Sequence, residues 1–345
     1  MFKFDLKSEI NEIDKNVIRF KIDFPPFEGL SFVCMYLLKI NGSNVLIDAG
    51  LYFSDWRKKF FTGLKEFDIS VKDIEYCIVT HDHIDHIGLI KTLKRKNPDM
   101  QLLMHKITHD LIKWSTDVKN NVEVEKSATE LANRMISFGI NEDKGDRIIQ
   151  FFSNFHKLIN YCKPDRILHD NDEILFKSNK LKVIWTPGHA AGHVCIFDTN
   201  NRYLFSGDHI LSRITPHIGS FMMNPALRNE YDLTNILDYY LKSLDKIDKL
   251  NPKIIFPAHQ EVIYNPHERI IEIKKHHDIR LREISNIIKN NPLTPFKISQ
   301  LHFGEDLSEI NTFLAISEVI SHLIYLELQG KIKRIEKDGK ILFVS

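Results

Sequence analysis

The segment T-H-D-H-I-D-H-I-G concentrates side chains that bind metal ions. It supplies His81, His83, Asp85 and His86 directly after residues 76–80, a short apolar run typical of a buried strand. Imidazole and carboxylate are ligands that Zn²⁺ and related divalent ions prefer. In an extended chain the first two histidines point the same way. The aspartate and the third histidine follow a tight turn, where they can face a second ion.

Three further candidate ligands stand in the same context along the chain. His189 closes T-P-G-H after the run KLKVIW, Asp208 closes S-G-D after RYLF, and His259 closes P-A-H after KIIF. Each lies at the carboxyl end of an apolar run, so the strands of a layered structure would bring all three to one edge. The sequence therefore predicts one site assembled from four separate segments.

These motifs resemble those of the metallo-β-lactamase superfamily: H-x-H-x-D-H, T-P-G-H, G-D and a last histidine after a strand. The resemblance covers about residues 16–265 and departs mildly at Ala258, where many members have glycine. It implies the α/β class, as an αββα sandwich with two divalent metal ions per chain at one edge, Zn being expected and Mn or Fe the alternatives. The ligand sets that it implies are His81, His83 and His189 for the first ion, Asp85, His86 and His259 for the second, and Asp208 for both.

Two ions bridged by a carboxylate can share a hydroxide whose pKa is lowered toward neutrality. That hydroxide attacks a carbonyl carbon or a phosphorus, and Asp85 is the predicted catalytic residue, orienting the hydroxide and taking its proton. The family's variations narrow the chemistry. Flavodiiron members have Glu at the position of His83, and antibiotic-hydrolysing members typically lack the aspartate found here as Asp208. The pattern instead resembles glyoxalase-II-like thioesterases, lactonases and nucleases.

Other polar residues near these motifs have more than one interpretation. Asp48 in L-I-D-A-G matches an acidic position of the family, where it either orients a ligand imidazole or caps a turn. His193 is expected to hold the shape of its loop, and His209 to point away from the ions. His217 in I-T-P-H-I-G is expected on the surface of a loop, with substrate contact as the alternative.

The chain divides into two predicted domains. Residues 1–266 form a catalytic domain in which strand-like runs alternate with helical patterns, and residues 106–163 form a helical insertion in it. Phe151, Phe152 and Phe155 of the insertion recur at helical spacing. They either cover the site and line an acyl pocket, or pack on the sandwich.

The tail, residues 267–345, is predicted to be winged-helix-like. Three helical patterns precede a hairpin that turns at Asp338 and Gly339. His276 and His277 lie on the first of these helices, either solvated or at the seam between the domains. The tail resembles the domain that follows the catalytic domain in one subgroup of the superfamily. That subgroup includes thioester hydrolases and a mitochondrial single-strand endoribonuclease.

The charge of the tail helps to choose between these two classes. From Glu268 to Ser345 it has 12 Lys and Arg against 11 Asp and Glu, whereas a winged helix that binds nucleic acid usually shows a basic stripe. Residues 314–328 are largely apolar, which favours a packed helix or a dimer surface over a helix that reads a groove. The basic hairpin KIKR is the evidence on the other side.

The sequence therefore favours hydrolysis of a small-molecule acyl substrate, a thioester or ester of the acyl-CoA or glutathione thioester type. A single-strand endoribonuclease or phosphodiesterase and a lactonase are alternative enzymes. A metal-containing regulatory or binding protein with little turnover is an alternative of another class. The sequence leaves open whether the chain forms a homodimer, and nucleic acid is a less favoured partner than a small molecule.

The composition is that of an ordinary globular protein. Lys and Arg total 47 and Asp and Glu total 46 among 345 residues, so no global charge indicates nucleic acid or an anionic membrane as a partner. No apolar run approaches the roughly 18 residues of a membrane span, and the first residues hold no apolar signal segment, so a cytoplasmic location without a membrane partner is expected. The four cysteines are too scattered for a disulfide framework and are expected in the core: Cys34, Cys77, Cys162 and Cys195.

Overall fold

Two β-sheets pack face to face and carry helices on their outer faces. The computed structural model describes residues 6–24, 31–117, 121–155, 159, 161–219, 228 and 230–345, without the side chains of residues 148–149 and 151–155. The strands are β1 (Ser8–Asp14), β2 (Val17–Asp23), β3 (Phe32–Ile40), β4 (Ser43–Ile47), β5 (Ile74–Val79), β6 (Gln101–His105), β7 (Arg166–Leu168), β8 (Glu173–Phe176), β9 (Asn179–Trp185), β10 (Val194–Asp198), β11 (Tyr203–Gly207), β12 (Ile254–Pro257), β13 (Lys333–Lys337) and β14 (Lys340–Val344). The helices are α1 (Ser54–Glu66), α2 (Ile84–Ile87), α3 (Ile90–Lys96), α4 (Lys106–Thr116), α5 (Asn121–Ser137), α6 (Glu142–Phe155), α7 (Ile236–Leu250), α8 (Pro266–Ile287), α9 (Pro295–Phe303) and α10 (Glu309–Leu328).

The first sheet has seven strands in the order β1-β2-β3-β4-β5-β6-β7. Strands β1 to β4 are antiparallel, and β4 to β7 are parallel, joined by helical crossovers. Asn41 and Gly42 turn the chain between β3 and β4 with φ of 49° and 92°. Such left-handed pairs suit two-residue hairpins, because their twist matches that of the strands. The parallel half brings the carboxyl ends of its strands to one edge.

The second sheet has five strands in the order β12-β11-β10-β9-β8, with β11 and β12 parallel. Side chains of both sheets fill the space between them. The Tyr36 ring of the first sheet lies 5.5 Å from the rings of Phe205 and Phe256 in the second. The Tyr36 hydroxyl donates to the Pro257 carbonyl at 2.6 Å, so its one polar atom is satisfied in the core.

Helices cover the outer face of each sheet and complete the predicted αββα sandwich. Trp56 and Phe60 of α1 are fully buried against the first sheet. Tyr240 of α7 belongs to the core on the outside of the second sheet. That core continues without a break into the tail helices, where it includes Ile273 of α8 and Val319 of α10. The sequence therefore predicted the layers correctly.

The insertion is helical as predicted, with α4, α5 and α6 following β6. Its second helix, α5, contacts the tail. Leu131 and Met135 of α5 share a buried cluster with Ile316 and Ile320 of α10. Lys340 reaches across from the hairpin and donates to the Ile136 carbonyl at 2.8 Å. The side chains of the three phenylalanines predicted either to line an acyl pocket or to pack on the sandwich lie outside the described residues.

The tail follows the predicted order, α8, α9 and α10 and then the hairpin β13-β14. Asp338 and Gly339 form its turn with φ of 51° and 69°. Helix α10 is packed as a core helix, since every residue from Ala315 to Leu323 is buried. The predicted boundary between residues 266 and 267 stays a prediction.

Two further expectations concern the cysteines and membrane spans. Cys34, Cys77 and Cys195 are buried as free thiols, and Cys162 is only partly buried. Burial raises the pKa of the Cys34 thiol to about 12, so it packs as a neutral apolar group. Within the described ranges, no helix is both long and apolar enough to cross a membrane.

Candidate metal centre

All seven predicted ligands meet at one edge of the two sheets. His81 follows β5, His189 follows β9, Asp208 follows β11 and His259 follows β12. Short backbone bonds join the sheets at this edge, from the Val194 N–H to the Thr80 carbonyl at 2.9 Å and from the Cys34 N–H to the Ala258 carbonyl at 2.6 Å. The ligand atoms fall into two groups, each within 4.8 Å: His81, His83, His189 and Asp208 in one, and Asp85, His86 and His259 in the other.

The Asp208 carboxylate faces both groups. Its Oδ2 lies 3.4 Å from His189 Nε2 and 3.4 Å from His259 Nε2, and its Oδ1 lies 3.6 Å from His86 Nε2. Gly207 precedes it with φ of 48°. A Cβ at Gly207 would lie 2.7 Å from His193 Nε2, so only glycine fits where this strand turns into the site.

Hydrogen bonds donated by Nδ1 orient three of the imidazoles. His86 Nδ1 lies 2.8 Å from Asp48 Oδ2, His259 Nδ1 lies 2.7 Å from the Phe32 carbonyl, and His189 Nδ1 lies 3.1 Å from the His217 carbonyl. In a neutral imidazole, an oxygen acceptor at Nδ1 fixes the proton there and leaves the Nε2 lone pair free for a metal ion. Each of these Nε2 atoms points into the centre. Asp48 therefore orients an imidazole, the first of its two predicted roles.

The fourth imidazole is oriented through Thr80, which the sequence analysis missed as a site residue. The Thr80 hydroxyl lies 2.9 Å and 3.0 Å from the two Asp48 oxygens, to which it donates. It can therefore only accept from His81 Nδ1, 3.1 Å away. The Thr80 N–H also donates to Asp48, at 2.7 Å. The sequence feature that could have indicated this role is the position of Thr80, directly between the end of β5 and His81.

Several polar atoms at the centre have no hydrogen-bond partner within the described part of the chain. They are His81 Nε2, His86 Nε2, His259 Nε2 and Asp208 Oδ1, all buried. A buried polar atom without a partner costs about 1–3 kcal/mol. Lone pairs of imidazole and carboxylate, converging in two groups, are the donor set of a divalent metal centre. The residues therefore fit the cations that the motif predicted.

The charges of the two groups differ. Burial is the main cause that lowers the pKa of His81 well below its usual value and that of His189 to about 4, so both imidazoles are neutral. Burial also opposes charge on His259, but Asp208 and Asp85 outweigh it and raise the pKa of His259 to about 10. Burial opposes charge on Asp208 as well, and His259 and His86 keep its pKa low. The two carboxylates therefore stabilise positive charge between the groups, which is a second proton on His259 when no cation is bound and which a cation would replace.

Comparison with known proteins identifies the family of this site. A family model described as the metallo-beta-lactamase superfamily matches residues 29–259, which is 231 of the 345 residues. The chain belongs to this superfamily. A second model, described as the metallo-beta-lactamase-like C-terminal domain, matches residues 281–345. The resemblance and the fold class that the motifs predicted are both confirmed.

Relatives within the superfamily match nearly the whole chain. The probable metallo-hydrolase YqjP of Bacillus subtilis (strain 168) is 23% identical over 317 residues, covering 90% of this chain and 92% of its own. The crystal structure of a metallo-beta-lactamase family protein from Thermus thermophilus aligns with a TM-score of 0.77 at 21% identity, over 96% of this chain and 99% of its own. A beta-lactamase domain protein from Burkholderia ambifaria aligns with a TM-score of 0.79 at 21% identity, over 97% and 94%.

Two histidines lie beside the ligand groups without belonging to them: His193, predicted to hold the shape of its loop, and His209, predicted to point away from the ions. His193 lies outside both ligand groups. Its Nε2 accepts the Asp208 N–H at 3.1 Å, and its Nδ1 lies 2.8 Å from the Thr186 hydroxyl. The His209 ring is buried between His193, 5.8 Å away, and Tyr240, 4.8 Å away. These contacts hold the loops that carry the ligands.

The prediction of a surface position for His217 is wrong. Its ring is partly buried, and its Nε2 lies 3.1 Å from the Leu314 carbonyl and 3.1 Å from the Ser317 hydroxyl, both on α10. The loop gains these partners because the tail helix packs over it, which no local pattern reveals. His277 lies at the seam and is fully buried, with its ring 5.4 Å from that of Tyr240 on α7 and stacked on His322 at 5.2 Å.

Proposed function

We propose that this chain is a dinuclear metal-dependent hydrolase of thioesters or esters, of the acyl-CoA or glutathione thioester kind. The observation that carries the proposal is the arrangement of seven ligand side chains in two groups that both face Asp208. A centre with one carboxylate between two ligand groups is suited to hydrolysis of a polarised carbonyl or phosphoryl bond. Membership of the superfamily supports an enzyme of this class.

The ligand sets follow from the two groups. His81, His83 and His189 would hold one ion, and Asp208 would reach both. Asp85, His86 and His259 would hold the other. Two divalent ions supply Lewis acidity toward the substrate oxygen and lower the pKa of a water molecule. Zn is the metal expected for imidazole-rich sets of four, with Mn and Fe as alternatives.

The position of the Asp85 carboxylate supports its assignment as the general base. It is only 6% exposed, and its Oδ2 lies 3.2 Å from His259 Nε2 and 3.6 Å from His86 Nε2. A carboxylate held at these distances keeps one orientation toward the space between the groups. We propose that Asp85 accepts a proton from the attacking water, a role in which a positioned base contributes about 10²–10⁴-fold to the rate.

The packing of the tail supports a small acyl substrate. In a winged helix that reads DNA or RNA, a helix must present side chains to the nucleic acid. Here α10 is buried from Ala315 to Leu323 between the insertion and the second sheet. The tail as a whole is also close to neutral, with 12 cationic and 11 anionic side chains. We therefore place substrate recognition at the metal edge and assign the tail a supporting role.

A second candidate, a single-strand endoribonuclease, is favoured by one feature. Strand β13 is exposed and carries Lys333 and Lys337, and Lys331, which precedes the strand, is exposed as well. Arg334 of the same strand is paired with Glu327 at 2.7 Å. Three exposed lysines on a hairpin could follow a phosphate backbone, and such binding would be strongly dependent on salt.

One substrate panel separates these functions. Protein loaded with Zn, Mn or Fe is assayed against acyl-CoA thioesters, a glutathione thioester, lactones and single-stranded RNA. We expect turnover of a thioester or ester, abolished by chelation and restored by metal. Turnover of RNA alone would replace the proposal by the endoribonuclease, and turnover of lactones alone by a lactonase. No turnover with any of them at full metal content would favour a regulatory or binding protein.

A further inference from the structure

We infer that Glu318, on the tail helix α10, is a positioning residue for the metal ligand His189 and acts through one peptide group. The peptide between His217 and Ile218 is bonded at both ends. Its carbonyl accepts from His189 Nδ1 at 3.1 Å, and its N–H donates to Glu318 Oε2 at 2.7 Å. The inference rests on the proposed function in one respect only, that His189 binds a metal ion.

Glu318 is held rigidly for this role. It is 4% exposed, and its other oxygen, Oε1, accepts from Arg280 of α8 at 2.5 Å. The Glu318 backbone carbonyl accepts from His322 Nδ1 at 2.7 Å. A buried carboxylate with both oxygens bonded keeps a single geometry, whereas an unpaired one would be strongly destabilising. The carboxylate therefore offers the loop a fixed acceptor.

The loop itself is packed tightly on α10. His217 Nε2 lies 3.1 Å from both the Leu314 carbonyl and the Ser317 hydroxyl. A Cβ at Gly219 would lie 2.2 Å from that hydroxyl, so the chain can approach the helix this closely only with glycine. Contacts from Leu314, Ser317 and Glu318 of α10 thus fix the peptide group whose carbonyl accepts from His189.

The consequence for the metal centre is electrostatic as well as geometric. A carboxylate at the peptide N–H polarises the peptide and makes its carbonyl a stronger acceptor. That carbonyl holds the His189 proton on Nδ1 and leaves the Nε2 lone pair facing His83 Nδ1, 3.1 Å away. The tail thereby sets the orientation and basicity of a ligand that lies in the other part of the chain.

The test measures metal affinity in the full-length protein. Glu318→Gln keeps the shape of the side chain and removes its charge, and Zn is titrated in competition with a chromophoric chelator to resolve both ions. Since partners of metal-bound histidines typically contribute about 10–100-fold to affinity, we expect one ion to weaken by about that factor and the other to be unchanged. Cobalt-substituted protein should show an altered visible spectrum.

Ile320→Ala is the matched control, because Ile320 lies on the same helix, is 5% exposed and faces the insertion. It should lower the melting temperature and leave both affinities and the cobalt spectrum as in the wild type. Equal affinities in Glu318→Gln and the wild type, or equal weakening in the two variants, would overturn the inference. If Glu318→Gln does not fold, His217→Ala takes its place, and it must weaken the same single ion.

A readout on metal-free protein separates this inference from the proposed function. Histidine labelled with ¹⁵N reports which ring nitrogen carries the proton. His189 should be protonated at Nδ1 in the wild type and lose that preference in Glu318→Gln. That result supports the inference even if no acyl substrate is turned over. A His189 tautomer that does not respond to Glu318→Gln contradicts it, whatever the substrate is.

Discussion

The carboxylate of Asp48 and the imidazole of His86 form a buried pair, with Oδ2 2.8 Å from Nδ1. Both side chains are at most 2% exposed. The backbone of Asp48 adopts φ of 64°, in the left-handed region where an aspartate is uncommon. Such conformations persist where the surroundings require them, and they cluster at functional sites. The pair ties the end of β4 to the ligand segment after β5.

Asp48→Asn should therefore weaken the ion held by the group that contains His86. Without the negative charge of Asp48 beside Nδ1, the His86 imidazole is less basic, so we expect about 10–100-fold lower metal affinity. A chelator-competition titration measures it. Asp198→Asn is the control, because Asp198 is also a buried strand-end aspartate, 3% exposed, that bonds only turn residues among its described partners. Equal effects of the two substitutions would contradict the assignment.

Asp85→Asn should reduce turnover far more than stability. We expect a fall in kcat of about 10²–10⁴-fold, the usual contribution of a general base. Kinetics on the preferred substrate are measured together with the metal content of each preparation. Asp82→Asn is the neighbouring control, since Asp82 belongs to neither ligand group. Near-wild-type turnover by Asp85→Asn at full metal content would remove this residue from the mechanism.

Removal of the metal ions should lower the melting temperature. Without cations, buried nitrogens such as His81 Nε2 and His86 Nε2 have no hydrogen-bond partner in the described structure. Ligands that bind only the folded state stabilise it by about 4 kcal/mol at a thousandfold excess over Kd. Calorimetry with and without a chelator, followed by re-addition of Zn, measures this. An unchanged melting temperature after verified removal would contradict a metal centre built from these residues.

The cluster between insertion and tail should contribute to stability and not to metal binding. Met135→Ala removes a fully buried side chain and should cost about 2–5 kcal/mol in the free energy of unfolding. Leu175→Ala is the control, because Leu175 is 70% exposed and should change stability by less than about 0.5 kcal/mol. Denaturant unfolding and metal titration are measured on both. Loss of metal affinity in Met135→Ala would mean that the insertion helps to form the site.

The positions of the ligands were predictable because each one follows an apolar run. A buried strand ends where polar residues begin, and His189, Asp208 and His259 each mark such an end. A layered α/β fold followed from the same runs. The αββα arrangement and the division of the ligands between two ions came from the resemblance to the superfamily.

What the sequence did not reveal depends on contacts between distant segments. Glu318 bonds the N–H of Ile218 across 100 residues, and nothing in the local pattern of α10 indicates it. The helical pattern of residues 106–163 predicted an insertion but not the contact of α5 with the tail helix, where its side chains share a cluster with Ile316. His217 was assigned to the surface for the same reason, since a short polar loop shows no sign of the helix that covers it.

The central claim is that the two groups joined by Asp208 hold two ions. Elemental analysis of protein purified without a chelator, and then saturated with Zn, measures it most directly. The arrangement of His81, His83 and His189 beside Asp85, His86 and His259 predicts close to two equivalents per chain. Saturation at a single equivalent, in a protein whose folding and concentration are verified, would contradict it.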